Sequence, residues 1–283
     1  MNKITDLRPS PIAGHWYPGI AKNLAQSVDQ YIQAATLPEI QGKVIGVIAP
    51  HAGYMYSGPV AGHAFAAVQG MKPDVVAVIS PIHRPMYFAP LLTSAHEAYQ
   101  TPLGTIPVDQ ESIHQLNGFI KSDLGIEITP VRKDDEHSLE IELPFLQRTL
   151  TGDFSLLPVM ILDTSVRVTQ SLGKALGRTL QNRDSLLVAS TDLSHYKTQK
   201  IANMLDQEML RRIEAFDPEA VLRAEDEGKG FACGRGAVAA VLWAAKELGA
   251  NQVQIVNYAT SGDISGDYSQ VVGYGAAVIT RKD

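Results

Sequence analysis

Short apolar runs recur along the chain at 43–49 (KVIGVIA), 74–80 (DVVAVIS), 155–162 (SLLPVMIL), 185–190 (SLLVAS), 252–259 (QVQIVNYA) and 271–279 (VVGYGAAVI). Each is nearly continuous in Val, Ile, Leu and Ala instead of alternating with polar residues. That pattern predicts strands covered on both faces. Segments with helical spacing lie between them, at 21–35, 58–68, 136–150, 168–180, 201–215, 218–225 and 237–248. Strand–helix alternation over the whole length predicts a three-layer α/β/α sandwich on a largely parallel or mixed sheet. The stretch 85–109 interrupts the rhythm and reads as a long excursion with a turn at Thr101-Pro102-Leu103-Gly104. No Gly/Ser linker, low-complexity tract or charged hinge divides the chain, so residues 1–283 are expected to form one domain.

Composition narrows the function classes. With 45% hydrophobic and 19% charged residues, the 283-residue chain can bury a sizeable core. A net charge of −6 and the lack of any Lys/Arg run argue against a nucleic-acid partner. The opening residues lack the apolar stretch of a signal peptide, and no run approaches a membrane span. One cysteine forms no internal disulfide, which fits a reducing compartment. A cytoplasmic location is expected.

The residues just past the strands point to chemistry. Run 43–49 leads into Pro50 and His51, then Ala52, Gly53 and Tyr54; run 74–80 leads into Pro81, Ile82 and His83; run 185–190 leads into Asp192 and His195. Ligands of open α/β sheets bind beyond the carboxyl ends of the strands. A single histidine after a strand usually just bonds a nearby carbonyl. Three strand ends with the same pattern, two stiffened by a preceding proline, suggest a site, and neutral imidazoles on rigid elements suit a transition metal. Asp192 reads either as a helix N-cap or as part of that site. Capping accounts for the aspartate but not for His195.

Cys233 stands in Gly230-Phe231-Ala232-Cys233-Gly234-Arg235-Gly236, just before a predicted helix. A helix start, with Arg235 adding positive charge, would lower the thiol pKa. The alternative is a small buried hydrophobe, and the flanking glycines favour the functional reading. In Asp134-Asp135-Glu136-His137-Ser138-Leu139-Glu140, the first two acids read as helix caps. Glu136 and His137 read as lining or supporting residues, with a His137–Glu140 pair on one helical face. Tyr54 and Arg235 complete the candidate lining, and His63 reads as structural.

Taken together, RPSPIAGHWYP, APHAGYMYSG, the Pro-x-His strand end, DDEHSLEIELPFLQ, STDLSHY and ACGRGA resemble the Memo family, the mediator-of-cell-motility homologues. The resemblance runs from about Arg8 to SGDISGDYSQVVGYGAAV, nearly the whole chain. It implies a fold like that of the class III non-haem iron extradiol dioxygenases. It also implies a metal held by His51, His83 and Cys233, with Asp192 and His195 beside it. The dioxygenases use a carboxylate where this chain has the Cys233 thiolate, a departure that bears on ring-cleaving activity. Family grounds rank iron first and copper second, with zinc the ion that such donors bind most readily. Microbial members are encoded alongside a radical-SAM protein and a third protein, which are the partners the resemblance suggests.

Three functions fit these residues. The first is a metal-dependent redox enzyme, dioxygenase-like, acting on an unknown small substrate, with His195 as general acid/base and Asp192 orienting it. The second is an adaptor that binds a peptide or phosphopeptide in the same cleft without chemistry. The third, a metal-free hydrolase with Cys233 as nucleophile, leaves His51 and His83 without a purpose.

Overall fold

The computed structural model describes residues 4–84, 89–132 and 134–282. Its first half runs β1 (Leu7–Arg8), α1 (Ala21–Ala34), β2 (Lys43–Ala49), α2 (Tyr54–Ala66), β3 (Val75–Pro81), β4 (Leu91–Ser94), β5 (Ala98–Thr101), β6 (Gly104–Pro107), α3 (Gln110–Leu124) and β7 (Thr129–Val131). A 3₁₀ turn (Glu140–Glu142) opens the second half, followed by α4 (Leu143–Thr149), β8 (Ser155–Ile161), α5 (Val166–Leu180), β9 (Ser185–Ser190) and β10 (His195–Lys197). The chain ends with α6 (Gln199–Glu214), α7 (Pro218–Asp226), α8 (Arg235–Glu247), β11 (Gln252–Thr260), α9 (Ser261–Ser265) and β12 (Val271–Arg281).

Successive strand residues point to opposite faces, and here both faces are apolar. Val75, Ala77 and Ile79 face one core with Leu116 of α3, Leu172 and Leu176 of α5 and Val238 and Val241 of α8. Val76 and Val78 face a second core with Leu24 and Val28 of α1, Phe65 of α2 and Phe145 of α4. The result is an α/β/α sandwich on a mixed nine-stranded sheet, in the order β10-β12-β2-β9-β3-β8-β4-β7 with β11 also on β12. The central strands β2, β9, β3 and β8 are parallel; β12 joins β2, and β4 joins β8, antiparallel. Among the described residues, no helix is long and apolar enough to cross a membrane.

From Leu91 onward the excursion supplies β4 to the main sheet, while β5 and β6, joined by the expected turn at Thr101–Gly104, build a small three-stranded sheet with β1. Its start, residues 85–88, lies outside the described residues. The helix expected from 136 begins later, at the Glu140–Glu142 turn, because Asp134, Asp135 and Glu136 are drawn off to Arg8, Arg84 and His83. A further helix, α3, occupies a stretch the hydrophobic pattern leaves blank. The Asp109 side chain caps it by accepting from Ser112 N, and Gly125, at φ 72°, ends it.

Close packing of α5 on α8 depends on Gly173. A β-carbon there would run into Trp243 and come within 2.7 Å of the Ala240 carbonyl oxygen. Gly173→Ala is therefore expected to cost about 1–3 kcal/mol as overpacking, although alanine is the better helix former. Urea denaturation checks this.

Candidate metal centre

Strands β2, β9 and β3 are neighbours and parallel, with Ala49 level with Ser190 and Ala189 level with Ile79. Their carboxyl ends therefore lie side by side. His51 stands two residues past β2, Asp192 two past β9 and His83 two past β3. The topology alone brings them together.

His51, His83 and His137 offer ring nitrogens that all lie within 4.8 Å of one another, a group that could hold a metal ion. The His51 and His83 ring centres are 5.1 Å apart, and His83 and His137 stack at 4.6 Å. Each ring is held from behind. His51 Nδ1 lies 2.9 Å from Ser190 Oγ. His83 Nδ1 lies 3.0 Å from Glu136 Oε1, and His137 Nδ1 lies 3.3 Å from the same oxygen. A carboxylate that accepts from Nδ1–H fixes the tautomer with Nε2 free, which is how histidine is prepared for a metal. Burial, with the nearby charges of His137 and His83, holds His51 well below the usual imidazole range. Burial brings His137 down to about 4 against the pull of Glu136. Both rings are neutral at pH 7.

Glu136 is the hub. It accepts from the backbone N–H of His83, His137 and Ser138 as well as from the His83 ring. Burial pushes its carboxyl up, but the His83 hydrogen bond and the His137 and His83 charges win and hold it far below the usual range. Because every neighbour is a donor, Glu136→Gln would aim an amide N–H at another N–H. The expected result is metal affinity lowered about 10–100-fold, the usual effect of removing the group that orients a ligand. Metal titration of the purified variant measures it.

Cys233, just ahead of α8, places Sγ 3.1 Å from His51 Nε2 and accepts from Asp192 N at 3.3 Å. The expected acidic thiol is not found. Burial and the Asp192 charge push the thiol up, and donation from Asp192 and Gly234 N–H and Thr191 only moderates the rise. Arg235 lends no relief because it pairs with Glu225 on α7.

Asp192 caps no helix: Oδ1 accepts from His51 N at 2.8 Å, and Oδ2 lies 4.0 Å from His51 Nε2. Burial pushes its carboxyl up to about 7, against backbone donation from His51 and Ala52. His195 opens β10, paired with β12, and its edge meets Phe231. Its Nδ1 is buried with no hydrogen-bond partner among the described residues, and burial lowers its pKa. Tyr54 is buried at the start of α2 and donates to the Ile141 carbonyl. His63 bonds Pro59 O and Asn257, as a structural histidine would.

The Asp134–Glu140 stretch departs furthest from expectation. Asp134 pairs with Arg8 and Asp135 with Arg84, so neither caps a helix. Glu140 does not pair with His137; it accepts from Arg8 and from Tyr17 OH. His137 instead packs on Trp16, with ring centres 4.2 Å apart. Trp16, Ile12, His83, Arg84, Asp135 and His137 are among the residues lining an open cleft of about 370 Å³ beside the histidines. Sequence reasoning passed over Ser190 and Glu142. The available signal was a lone carboxylate in the otherwise apolar Ile141–Leu146 stretch and a hydroxyl closing an apolar strand.

A sequence profile of the family described as Memo-like protein matches residues 8–278. A MEMO1 family protein of Nitrosopumilus maritimus is 35% identical over 274 residues, covering 95% of this chain and 98% of the relative. One from Methanopyrus kandleri is 33% identical, covering 97% and 99%. One from Methanothermobacter thermautotrophicus is 35% identical, covering 95% and 98%. The matched span takes in every group of the site, from buried Arg8 through the three histidines to Cys233, and the chain belongs to the Memo family.

Proposed function

We propose that this protein is a non-haem metal-dependent redox enzyme of dioxygenase-like type, acting on a small substrate admitted by the Trp16–Arg84 cleft. The observation that carries the reading is the convergence of three imidazoles, with rings braced through Nδ1, beside the Cys233 sulphur. Such donors fit a first-row transition metal: His51 and His83 with Cys233 would hold it, and His137 stands ready as a further donor. Imidazole and thiolate exclude magnesium and calcium as the natural occupants, and the Memo resemblance favours iron over copper and zinc. A bound metal of this kind supplies Lewis acidity and, if redox-active, electrons.

The protein's own groups supply the rest. His195, kept neutral by burial, accepts a proton from the substrate. Asp192, bonded to the His51 backbone, steadies the ligand loop, and its carboxylate would add negative charge to favour a bound cation. Trp16 and Ile12 give one side of the cleft an apolar wall. The partners suggested by the family resemblance, a radical-SAM protein and a third protein, would supply or consume its substrate.

The test is metal analysis of untagged protein purified without oxygen. About one metal ion per chain is expected, falling to near zero in His51→Ala. Metal-free wild type that takes up no iron, copper or zinc would sink the proposal. The adaptor reading has one feature in its favour, the exposed Arg84 at the cleft mouth. It requires an acidic peptide to bind equally well before and after metal removal, with no oxygen uptake.

A further inference from the structure

Glu142 has no part in the proposed chemistry, yet it is fully buried and connected to the site by one hydroxyl. Ser190 Oγ has three polar neighbours: Ser138 O at 2.6 Å, Glu142 Oε1 at 2.8 Å and His51 Nδ1 at 2.9 Å. A serine hydroxyl has one proton to give and two lone pairs to accept with. The Ser138 carbonyl can only accept. If Ser190 gave its proton to an ionised Glu142, two bare oxygens would face each other across the 2.6 Å contact with Ser138. If it gave the proton to His51, the Ser138 contact would again lack one. Only one assignment puts a proton in every contact: Ser190 donates to Ser138 O and accepts from both His51 Nδ1–H and a Glu142 carboxylic acid.

We propose that Glu142 is held as a neutral carboxylic acid that donates to Ser190, and that this bond locks His51 with its Nε2 lone pair facing the metal position. Glu142 is thus a positioning residue acting through Ser190.

Independent observations agree. Glu142 Oε2 is buried with no hydrogen-bond partner among the described residues. An orphan oxygen is tolerable on a neutral acid and costly on a carboxylate. Among the described residues no Lys, Arg or His forms an ion pair with Glu142, and the nearby Tyr54 hydroxyl is spent on Ile141 O. Burial, with the Asp192 charge adding to it, pushes the Glu142 carboxyl well up against the Ser190 hydrogen bond. Charge counting points the same way. A Cys233 thiolate, the Asp192 carboxylate and the ionised Glu136 behind His83 and His137 already outnumber the charges of a divalent ion, so a further buried anion at Glu142 would have nothing to neutralise it.

The consequence for the metal rests on the proposed metal-enzyme function; the proton on Glu142 does not, so the two are tested separately. On metal-free protein at neutral pH, the infrared difference spectrum between wild type and Glu142→Gln should show the C=O stretch of a protonated carboxyl lost in the variant. Nitrogen-15 NMR should report His51 as the Nδ1–H tautomer in wild type and Glu142→Gln, and as a mixture in Ser190→Ala. A purely structural role would not move that signature. In titrations with Fe(II) and Zn(II), Glu142→Gln should bind within about threefold of wild type, because its amide donates the same bond, while Ser190→Ala should bind about tenfold or more weakly. No protonated-carboxyl band, or a Gln variant as impaired as Ser190→Ala, overturns the inference. If the band and tautomer appear but wild type takes up neither metal, the metal-enzyme reading falls while the proton assignment is supported.

Discussion

Replacing Arg8 with alanine is expected to destabilise the protein by about 3–5 kcal/mol, the usual cost of removing one partner from a buried ion pair. Arg8 is 2% exposed. Its guanidinium donates to Glu140 Oε2 at 2.7 Å, to Asp134 Oδ1 at 2.6 Å and to the Glu136 carbonyl at 2.7 Å. The ring of Tyr99 lies 4.9 Å from its central carbon. The alanine variant would strand two carboxylates, one of them fully buried, and leave a carbonyl unpaired. Burial already pushes Glu140 upward against Arg8, so without Arg8 it would take up a proton instead of staying charged. Lysine is expected to recover only part of the loss, since one ammonium cannot reproduce a planar fork shared among three acceptors. The effect should reach the site: Arg8 anchors the backbone at Glu136, and Glu136 orients His83 and His137. Urea denaturation should show the midpoint falling for both variants, alanine further. Metal titration of the folded alanine fraction should show weaker binding. Stability within about 1 kcal/mol of wild type would mean that the attraction within the pair is offset by its own desolvation.

Legibility in the sequence followed the range of the interactions. Strands 43–49 and 185–190 could be read to the residue because burial on both faces leaves an uninterrupted apolar run. Helix α3 could not, because it fully buries only Ser112, Leu116 and Ile120, its other apolar residues Ile113, Phe119 and Leu124 are only partly covered, and polar residues fill the rest. Its cap at Asp109 and stop at Gly125 were the legible cues. The four-residue strands β4, β5 and β6 are too short for periodicity to register. Convergence of His51, His83 and Asp192 was readable because parallel neighbouring strands end at one edge. What orients them was not, because Arg8 meets Glu140 across 132 positions and Ser190 meets Glu142 across 48. The Cys233 thiol was misjudged for a related reason: a helix start is visible in sequence, while the burial that outweighs it is not.

Metal binding at pH 8 is expected to release about one proton that Cys233→Ala does not release. In the metal-free protein the thiol is pushed up by burial and by the Asp192 charge, so it holds its proton at pH 8 and must lose it to become a ligand. Asp192, pushed up to about 7, is mostly ionised at pH 8 and mostly protonated at pH 6. A cation arriving beside it favours the carboxylate, so release should climb from about one proton toward two as pH falls from 8 to 6. His51 and His137 work the other way: burial keeps their rings neutral below the ordinary imidazole range, so they add almost nothing over that window. Any remaining histidine contribution is common to wild type and variant and cancels in their difference. Calorimetric titration with Zn(II) in buffers of different ionisation enthalpy counts the protons directly. The variant should fall about one proton short of wild type at both pH values and lose affinity for soft metals by about tenfold or more. Asp192→Asn should keep the single proton of pH 8 and lose the increment at pH 6. Equal proton counts in wild type and Cys233→Ala would mean that the sulphur 3.1 Å from His51 Nε2 is a bystander and that the metal is held by histidines alone.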